Sequence, residues 1–201
     1  MLATNKRAVL AEAMLGDTPA KMALHKLGLV VLGVVGMAVS AKMVVPMWPV
    51  PMTMGTFAVL TMGAVYGPRL GVVTILAYLL CGTLGLDIFA GSSASVNGLG
   101  YMAGPTGGYL VGYVLAVLTL GLAARAGWDR TPPRMALALL GGNIVIYLPG
   151  VLWLGVLFGW DKPLMEWGVL PFLLGDALKL SLAACLVPLA WRVFRAPSSG
   201  R

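Results

Sequence analysis

Met135-Ala-Leu-Ala-Leu-Leu-Gly-Gly-Asn-Ile-Val-Ile-Tyr-Leu-Pro-Gly-Val-Leu-Trp-Leu-Gly-Val-Leu-Phe-Gly-Trp160 contains no Asp, Glu, Lys or Arg. A helix needs about 20 apolar residues to cross the hydrocarbon layer of a bilayer, and this stretch is longer than that. The pattern repeats outward along the chain. Met43 to Pro68, Leu70 to Leu86 and Ile88 to Ala124 are equally free of acidic and basic residues. Of 201 residues 59% are hydrophobic and only 10% charged, whereas a soluble domain carries roughly 25% charged residues. That excludes a soluble globular enzyme and a disordered tail. What remains is an all-α integral membrane protein.

Six spans are predicted, at about 24–45, 52–66, 70–86, 106–124, 135–158 and 169–194. They form a compact bundle over 24–195, preceded by a polar segment, 1–23, and followed by a short tail, 196–201. The first segment is expected to be a retained polar or amphipathic piece, since Lys6, Arg7, Glu12, Asp17, Lys21 and Lys26 precede the first apolar run and a cleaved signal peptide starts its apolar core sooner. Pro46, Pro49 and Pro51 stiffen the first break, since each fixes its own φ and pushes its predecessor out of the helical region. Gly67-Pro68-Arg69 reads as a tight turn. The break from Asp87 to Pro105 is long and rich in Gly and Ser, and breaks of that length are commonly functional.

Charge placement sets the orientation. Eleven of the 14 Lys and Arg residues fall on the side that carries the N-terminus, Arg69, the Arg125–Arg134 loop and the C-terminus. The opposite side holds Lys162, with Asp161 and Glu166. The positive-inside rule puts both termini in the cytoplasm. The net charge of +7 is therefore a topology signal, and with no dense basic stripe nucleic acid is not an expected partner. The three loops at Pro46–Pro51, Asp87–Pro105 and Trp160–Trp167 all face outside. Small residues recur at four-residue spacing (Gly63, Gly67, Gly71; Gly104, Gly108, Gly112; Gly155, Gly159), which lets helix backbones approach closely in lipid. Gly36 and Ser40 repeat that spacing on the first span, where a contact with another subunit is an alternative to packing within the bundle.

The last span carries the anomaly. In Leu170-Pro-Phe-Leu-Leu-Gly-Asp176-Ala-Leu-Lys179, an acid and a base three residues apart share one helix face. Each ionised group at mid-bilayer costs about 2.5–3.5 kcal/mol on insertion scales. One reading is a self-neutralising structural pair. The other is a cavity in which both address a polar ligand, with Gly175 leaving room beside them. Asn97 in the long outer break is a turn former or a ligand contact. Asn143 reads as interhelical glue. Tyr101, Phe89, Trp48 and Trp153 are pocket walls or interface-belt aromatics, with the tryptophans fitting the belt. There is no Gly-Lys dipeptide, hence no phosphate-binding P-loop. With one histidine, His25, and two cysteines, Cys81 and Cys185, no catalytic triad, disulfide framework or zinc site is expected.

Several stretches together resemble the BioY family, the biotin-specific substrate-binding (S) subunits of energy-coupling-factor vitamin transporters. They are Val45-Pro46 through Pro49-Val-Pro-Met-Thr53, Thr56-Phe-Ala-Val-Leu60, Gly67-Pro-Arg-Leu-Gly71, Gly85-Leu-Asp-Ile-Phe-Ala-Gly91, Tyr101-Met-Ala-Gly-Pro-Thr-Gly-Gly-Tyr109 and Pro171-Phe-Leu-Leu-Gly-Asp-Ala-Leu-Lys179. The resemblance implies six helices and high-affinity biotin binding in an outward-facing cavity covered by the outer loops. It implies that Asp176 and Lys179 contact the ligand, with Asn97, Tyr101, Phe89 and Thr53 completing the ligand-binding set. It also implies docking through Gly36 and Ser40 onto a transmembrane coupling subunit driven by ABC-type ATPases. No cofactor and no catalytic residue is implied, biotin being cargo. The sequence departs from the family's pattern at Gly55, where Gln is common, at Asp87, where Pro is frequent, and at Gly36–Ser40, where two alanines are usual.

The expected chemistry is explicit. Asp176 accepts the ureido N–H groups of biotin, Lys179 bonds either the ureido oxygen or the carboxylate, and Phe89 with Tyr101 walls the apolar part. Two other readings stand beside this one: a stand-alone transporter that works without a coupling subunit, and a structural membrane subunit whose Asp–Lys pair fixes helix register.

Overall fold

The computed structural model describes residues 8–13, 19–93 and 96–195. Parts of the expected polar N-terminal segment, 1–7 and 14–18, and the tail, 196–201, lie outside the described residues. A short helix α1 (Leu10–Ala13) precedes α2 (Pro19–Lys42). A two-residue ladder, β1 (Val44–Val45) with β2 (Met52–Thr53), leads into α3 (Gly55–Thr83). Then come α4 (Gly98–Met102), α5 (Gly107–Arg125), α6 (Pro132–Phe158), α7 (Leu164–Gly168) and α8 (Leu173–Arg195).

Five of these helices are long and apolar enough to cross a membrane, but α3 supplies two spans. At Gly67 φ is +75° and ψ −179°, a conformation closed to side-chain-bearing residues, and Pro68 follows with φ preset for a new helix. The chain folds back there. A Cβ on Gly71 would lie 3.8 Å from the Cα of Gly63, whereas eight residues of continuous helix would separate them by roughly 12 Å. The arms 55–66 and 68–83 are therefore the second and third of six spans.

The ends of the spans differ from expectation for local reasons. The first span begins at Pro19, not Leu24, and stops at Lys42, because Val44 and Val45 pair antiparallel with Thr53 and Met52. Val45 precedes Pro46, so extended backbone is favoured there. That ladder also removes Met52 and Thr53 from the second span. The last span starts at Leu173, after a 3-10 turn at Leu170–Phe172 that contains Pro171.

The core lies where α3, α5 and α6 meet. Gly63 and Gly71 both face Val117 of α5, and a Cβ on Gly112 would stand 2.7 Å from the Ile146 Cα on α6. At Gly63, Gly71, Gly108 and Gly112 the small-residue spacing thus packs helices within the bundle, whereas Gly155 and Gly159 face the side chains of Trp160 and Asp161 that follow them. On α2, by contrast, Leu24, Leu27, Val31, Leu32, Val35 and Val39 are exposed, and a Cβ on Gly36 would meet nothing within 4 Å. The outer segments are tied down by tyrosines: Tyr78 donates to the Ile88 carbonyl (3.0 Å), Tyr101 to that of Ala90 (2.6 Å) and Tyr109 to that of Gly168 (2.9 Å). Trp48 packs edge-on against Trp167 and Phe158, with centroids 4.9 and 5.7 Å away. It joins the β1–β2 strap to the loop after α6 while keeping one face exposed.

Candidate ligand-binding site

The outer end of α8 faces the bundle interior. Asp176 is 3% exposed, and Lys179 bonds it at 3.1 Å, the i,i+3 geometry read from the sequence. The carboxylate has more than this one partner. Tyr147 donates to Oδ2 at 2.5 Å, the Asn143 amide donates to the same oxygen at 2.8 Å, and the Thr56 hydroxyl donates to Oδ1 at 3.3 Å. The Lys179 ammonium also reaches the Thr53 carbonyl at 2.7 Å and Thr56 Oγ1 at 3.1 Å. Donors from α3, α6 and α8 thus converge on the Asp176 carboxyl, an arrangement that offsets the desolvation cost of burying it. One capacity stays unused: the Asn143 Oδ1 atom is buried without a partner among the described residues. A buried polar atom left unpaired costs about 1–3 kcal/mol, which makes it a ready acceptor for an N–H donor.

The open cavity expected beside the pair is much smaller than anticipated. The space bounded by Thr56, Leu60, Asn143, Asp176 and Lys179 holds no water-sized void. Beyond Thr53 lies a cavity of about 40 Å³, lined by Tyr78, Tyr101, Tyr109, Tyr113 and Thr106 among others. Drug-sized ligands occupy sites of roughly 300–1,000 Å³, so a guest of that size fits only when side chains or outer segments shift. The aromatic rings and the Met52–Thr53 strand fill the space, and Met52 Sδ would stand 2.9 Å from a Cβ on Gly175. Gly175 accordingly makes room for the strap.

The other expected residues divide. Thr53 sits at the site, through its carbonyl. Tyr101 lines the small cavity, and burial pushes its hydroxyl's pKa above the usual value. Phe89 is fully buried behind Tyr101, stacked on it at 4.9 Å and edge-on to Tyr78 at 5.4 Å. It backs the wall and does not form its surface. Asn97 caps α4 without a side-chain cap bond and does not line the cavity beside Thr53. Trp153 donates to the Gly104 carbonyl at 2.9 Å, an outer tether more than a belt residue. Sequence reasoning missed Tyr147, Thr56 and Tyr113. The signal for the first was present, since Asn143 and Tyr147 are four residues apart and so share a helix face.

The chain matches the BioY family over residues 13–196. It belongs to that family. Among curated relatives, a probable biotin transporter BioY of Pyrococcus horikoshii is 37% identical over 165 residues, covering 82% of this chain and 95% of that protein. The biotin transporter BioY of Thermotoga maritima is 32% identical over 148 residues, covering 74% and 85%. That of Rhizobium etli is 30% identical over 145 residues, covering 69% and 76%. Among solved structures, the S-component for biotin from an ECF-type ABC transporter superposes with a TM-score of 0.71 at 21% identity, over 88% of this chain and 95% of that one. The shared fold supports the six-span reading. This BioY-family chain is thus a multi-pass membrane protein of a transporter family, not of an enzyme family.

Proposed function

We propose that this protein captures biotin at the outer face of the cell membrane and hands it inward as the substrate-binding subunit of an ATP-driven importer. The observation that carries the reading is the buried Asp176–Lys179 pair, supplied with donors by Tyr147, Asn143 and Thr56 and adjoined by the unsatisfied Asn143 oxygen. A ureido ring has two N–H donors and one carbonyl acceptor. Asp176 and Asn143 Oδ1 are acceptors for the donors, and charge assistance strengthens the bond to the carboxylate. Lys179 addresses the ureido oxygen or the valeryl carboxylate. Tyr101, Tyr109 and Tyr113 present the apolar surface that a thiophane ring and aliphatic chain require. The β1–β2 strap and the 87–105 segment yield to admit the guest and then exclude water, which strengthens every bond inside.

Biotin relatives by name and the biotin S-component fold support the same cargo. Gly36, where an added Cβ would meet nothing within 4 Å among the described residues, and Ser40 line a groove between α2 and α3 that offers a docking face for a transmembrane coupling subunit; ATP hydrolysis belongs to further ABC-type subunits. Mass spectrometry of small molecules released from the detergent-purified protein tests the cargo, with biotin the expected mass. Transport by the purified chain alone in liposomes, abolished by collapsing a proton gradient, would replace the importer reading with a stand-alone transporter.

A further inference from the structure

At the end of the bundle opposite the Asp176 site, where the α3 arms turn at Gly67, a second cavity of about 260 Å³ opens between α1, α2, α3 and α5. Its walls mix two chemistries. Among the described residues, Lys26 of α2, Arg69 of α3 and Arg125 at the end of α5 supply three cations, and Glu12 of α1 the one carboxylate. Arg125 donates to Glu12 at 2.5 Å, so that charge is matched within the protein, and two positive charges remain over among the described lining residues. The rest of the lining, Ala11, Tyr66, Leu70 and Val73, is apolar or aromatic. Val73 is 55% exposed and lies one helical turn along the span from Leu70, toward the bilayer interior.

We infer that this cavity binds the phosphate headgroup of an anionic phospholipid of the cytoplasmic leaflet. A guest matched to it has a negatively charged end and an apolar body, because the cations lie at the rim and the apolar wall continues up the span. A soluble anion would leave Leu70 and Val73 facing nothing of its own chemistry. The position agrees, since the basic end of the bundle is the cytoplasmic end by the positive-inside rule, and basic pockets between spans at that level suit phosphate headgroups. The guanidinium of Arg69 offers a fork that matches phosphate oxygens in pairs. Lys26, across the cavity, adds a point charge. The surplus of two positive charges fits a headgroup with two phosphates best. The inference is independent of what the outer site carries.

The test uses the full chain in nanodiscs of equal cardiolipin and phosphatidylcholine, followed by native mass spectrometry of the lipid retained in detergent. Wild-type protein is expected to keep cardiolipin in preference to phosphatidylcholine. Lys26→Gln together with Arg69→Gln should lower cardiolipin retention roughly tenfold or more, and Lys26→Gln alone about fivefold, each lost contact weakening the surface attraction. Arg69→Lys should keep most of it. Arg134→Gln removes an exposed cation near the same end but outside the cavity, and should change nothing. Unaltered retention in the double and single variants would overturn the inference, as would an equal loss in Arg134→Gln, which is the mark of diffuse surface charge. Displacement of cardiolipin by millimolar inorganic phosphate would also overturn it, in favour of a soluble anion.

Discussion

Two carboxylates are buried among the described residues, Asp129 at 0% and Asp176 at 3% exposure, and they sit toward opposite ends of the bundle. Asp129 lies in the turn between α5 and α6. It accepts from the Trp191 indole and from Arg130 Nε at 3.0 Å, while the Arg130 guanidinium lies 3.3 Å from the centroid of the Trp191 ring. Arg130 also donates to the Ala8 carbonyl at 2.6 Å. Burial pushes the Asp129 carboxyl above its usual range, and Trp191 and Arg130 pull it back. These contacts join the start of the described chain, the turn and the last helix. Around Asp176 the partners are hydroxyls, an amide and an ammonium beside a small cavity, with one acceptor left over. Burial of an acid therefore does not mark a binding site. On the function proposed above, the unpaired Asn143 oxygen beside Asp176 is what distinguishes the outer site.

Replacing each acid should separate the two roles. Asp129→Ala strands a buried guanidinium and an indole N–H, and removing one member of a buried pair costs about 3–5 kcal/mol. A large fall in thermal stability is expected, with unchanged biotin affinity in the folded fraction; an accompanying loss of affinity would erase the distinction. Asp176→Asn is nearly isosteric and should raise the biotin Kd at least tenfold, about 1.4 kcal/mol or more, with a fall in melting temperature as well, because the buried Lys179 loses its counter-charge. Lys179→Ala should act in the same direction. Unchanged affinity in both, by calorimetric titration, would defeat the site assignment. Tyr147→Phe removes one donor to a charged acceptor and should cost about 1.5 kcal/mol, read as a roughly tenfold weaker affinity.

The smallest effect is expected at the outer surface, where Lys42 pairs with Asp87 at 2.6 Å and Ser92 donates to the same carboxylate at 2.5 Å. Hydrogen bonds from Lys42 and Ser92 hold the Asp87 carboxyl below the usual carboxylate range. A lowered folded-state pKa means the stabilisation is present above the unfolded value, about 3.9, and disappears as pH falls through the lower folded value. Amide protection across 87–92 should therefore be flat near neutrality and decline only in acid. In Asp87→Asn it should be slightly reduced and insensitive to salt, since exposed pairs contribute little and are screened. Protection that falls already between pH 7 and 5 would show that some other group holds this segment.

What could be read from the sequence follows from what each residue had to overcome. The six spans were legible because charge-free runs cannot be clothed in water, and the turn at Gly67-Pro68 because its two residues leave the backbone little choice. The acid and base on α8 stood out because ionised groups in lipid are costly. Thr56 and Tyr113 were not legible, since a hydroxyl within an apolar run carries no such penalty once it finds an acceptor, and only the fold shows which acceptor; Tyr147 was legible only through its four-residue spacing from Asn143. The closeness of the packing was equally hidden: no pattern in Met52 or Thr53 announces that the strap lies down on Gly175 and Lys179. The depth of Phe89, stacked behind Tyr101, was also hidden, because an aromatic in a loop does not announce which layer it fills.

An ammonium group has three protons, and those of Lys179 are directed to the Thr53 carbonyl, the Thr56 hydroxyl and the Asp176 carboxylate. None is in reserve. Any molecule that engages this lysine must evict one of its present acceptors, and only the Thr53 carbonyl belongs to a short ladder outside the helices. On the function proposed above, recognition and unfastening of the strap would be a single exchange: the proton that bonds the cargo is the one that leaves the Thr53 carbonyl.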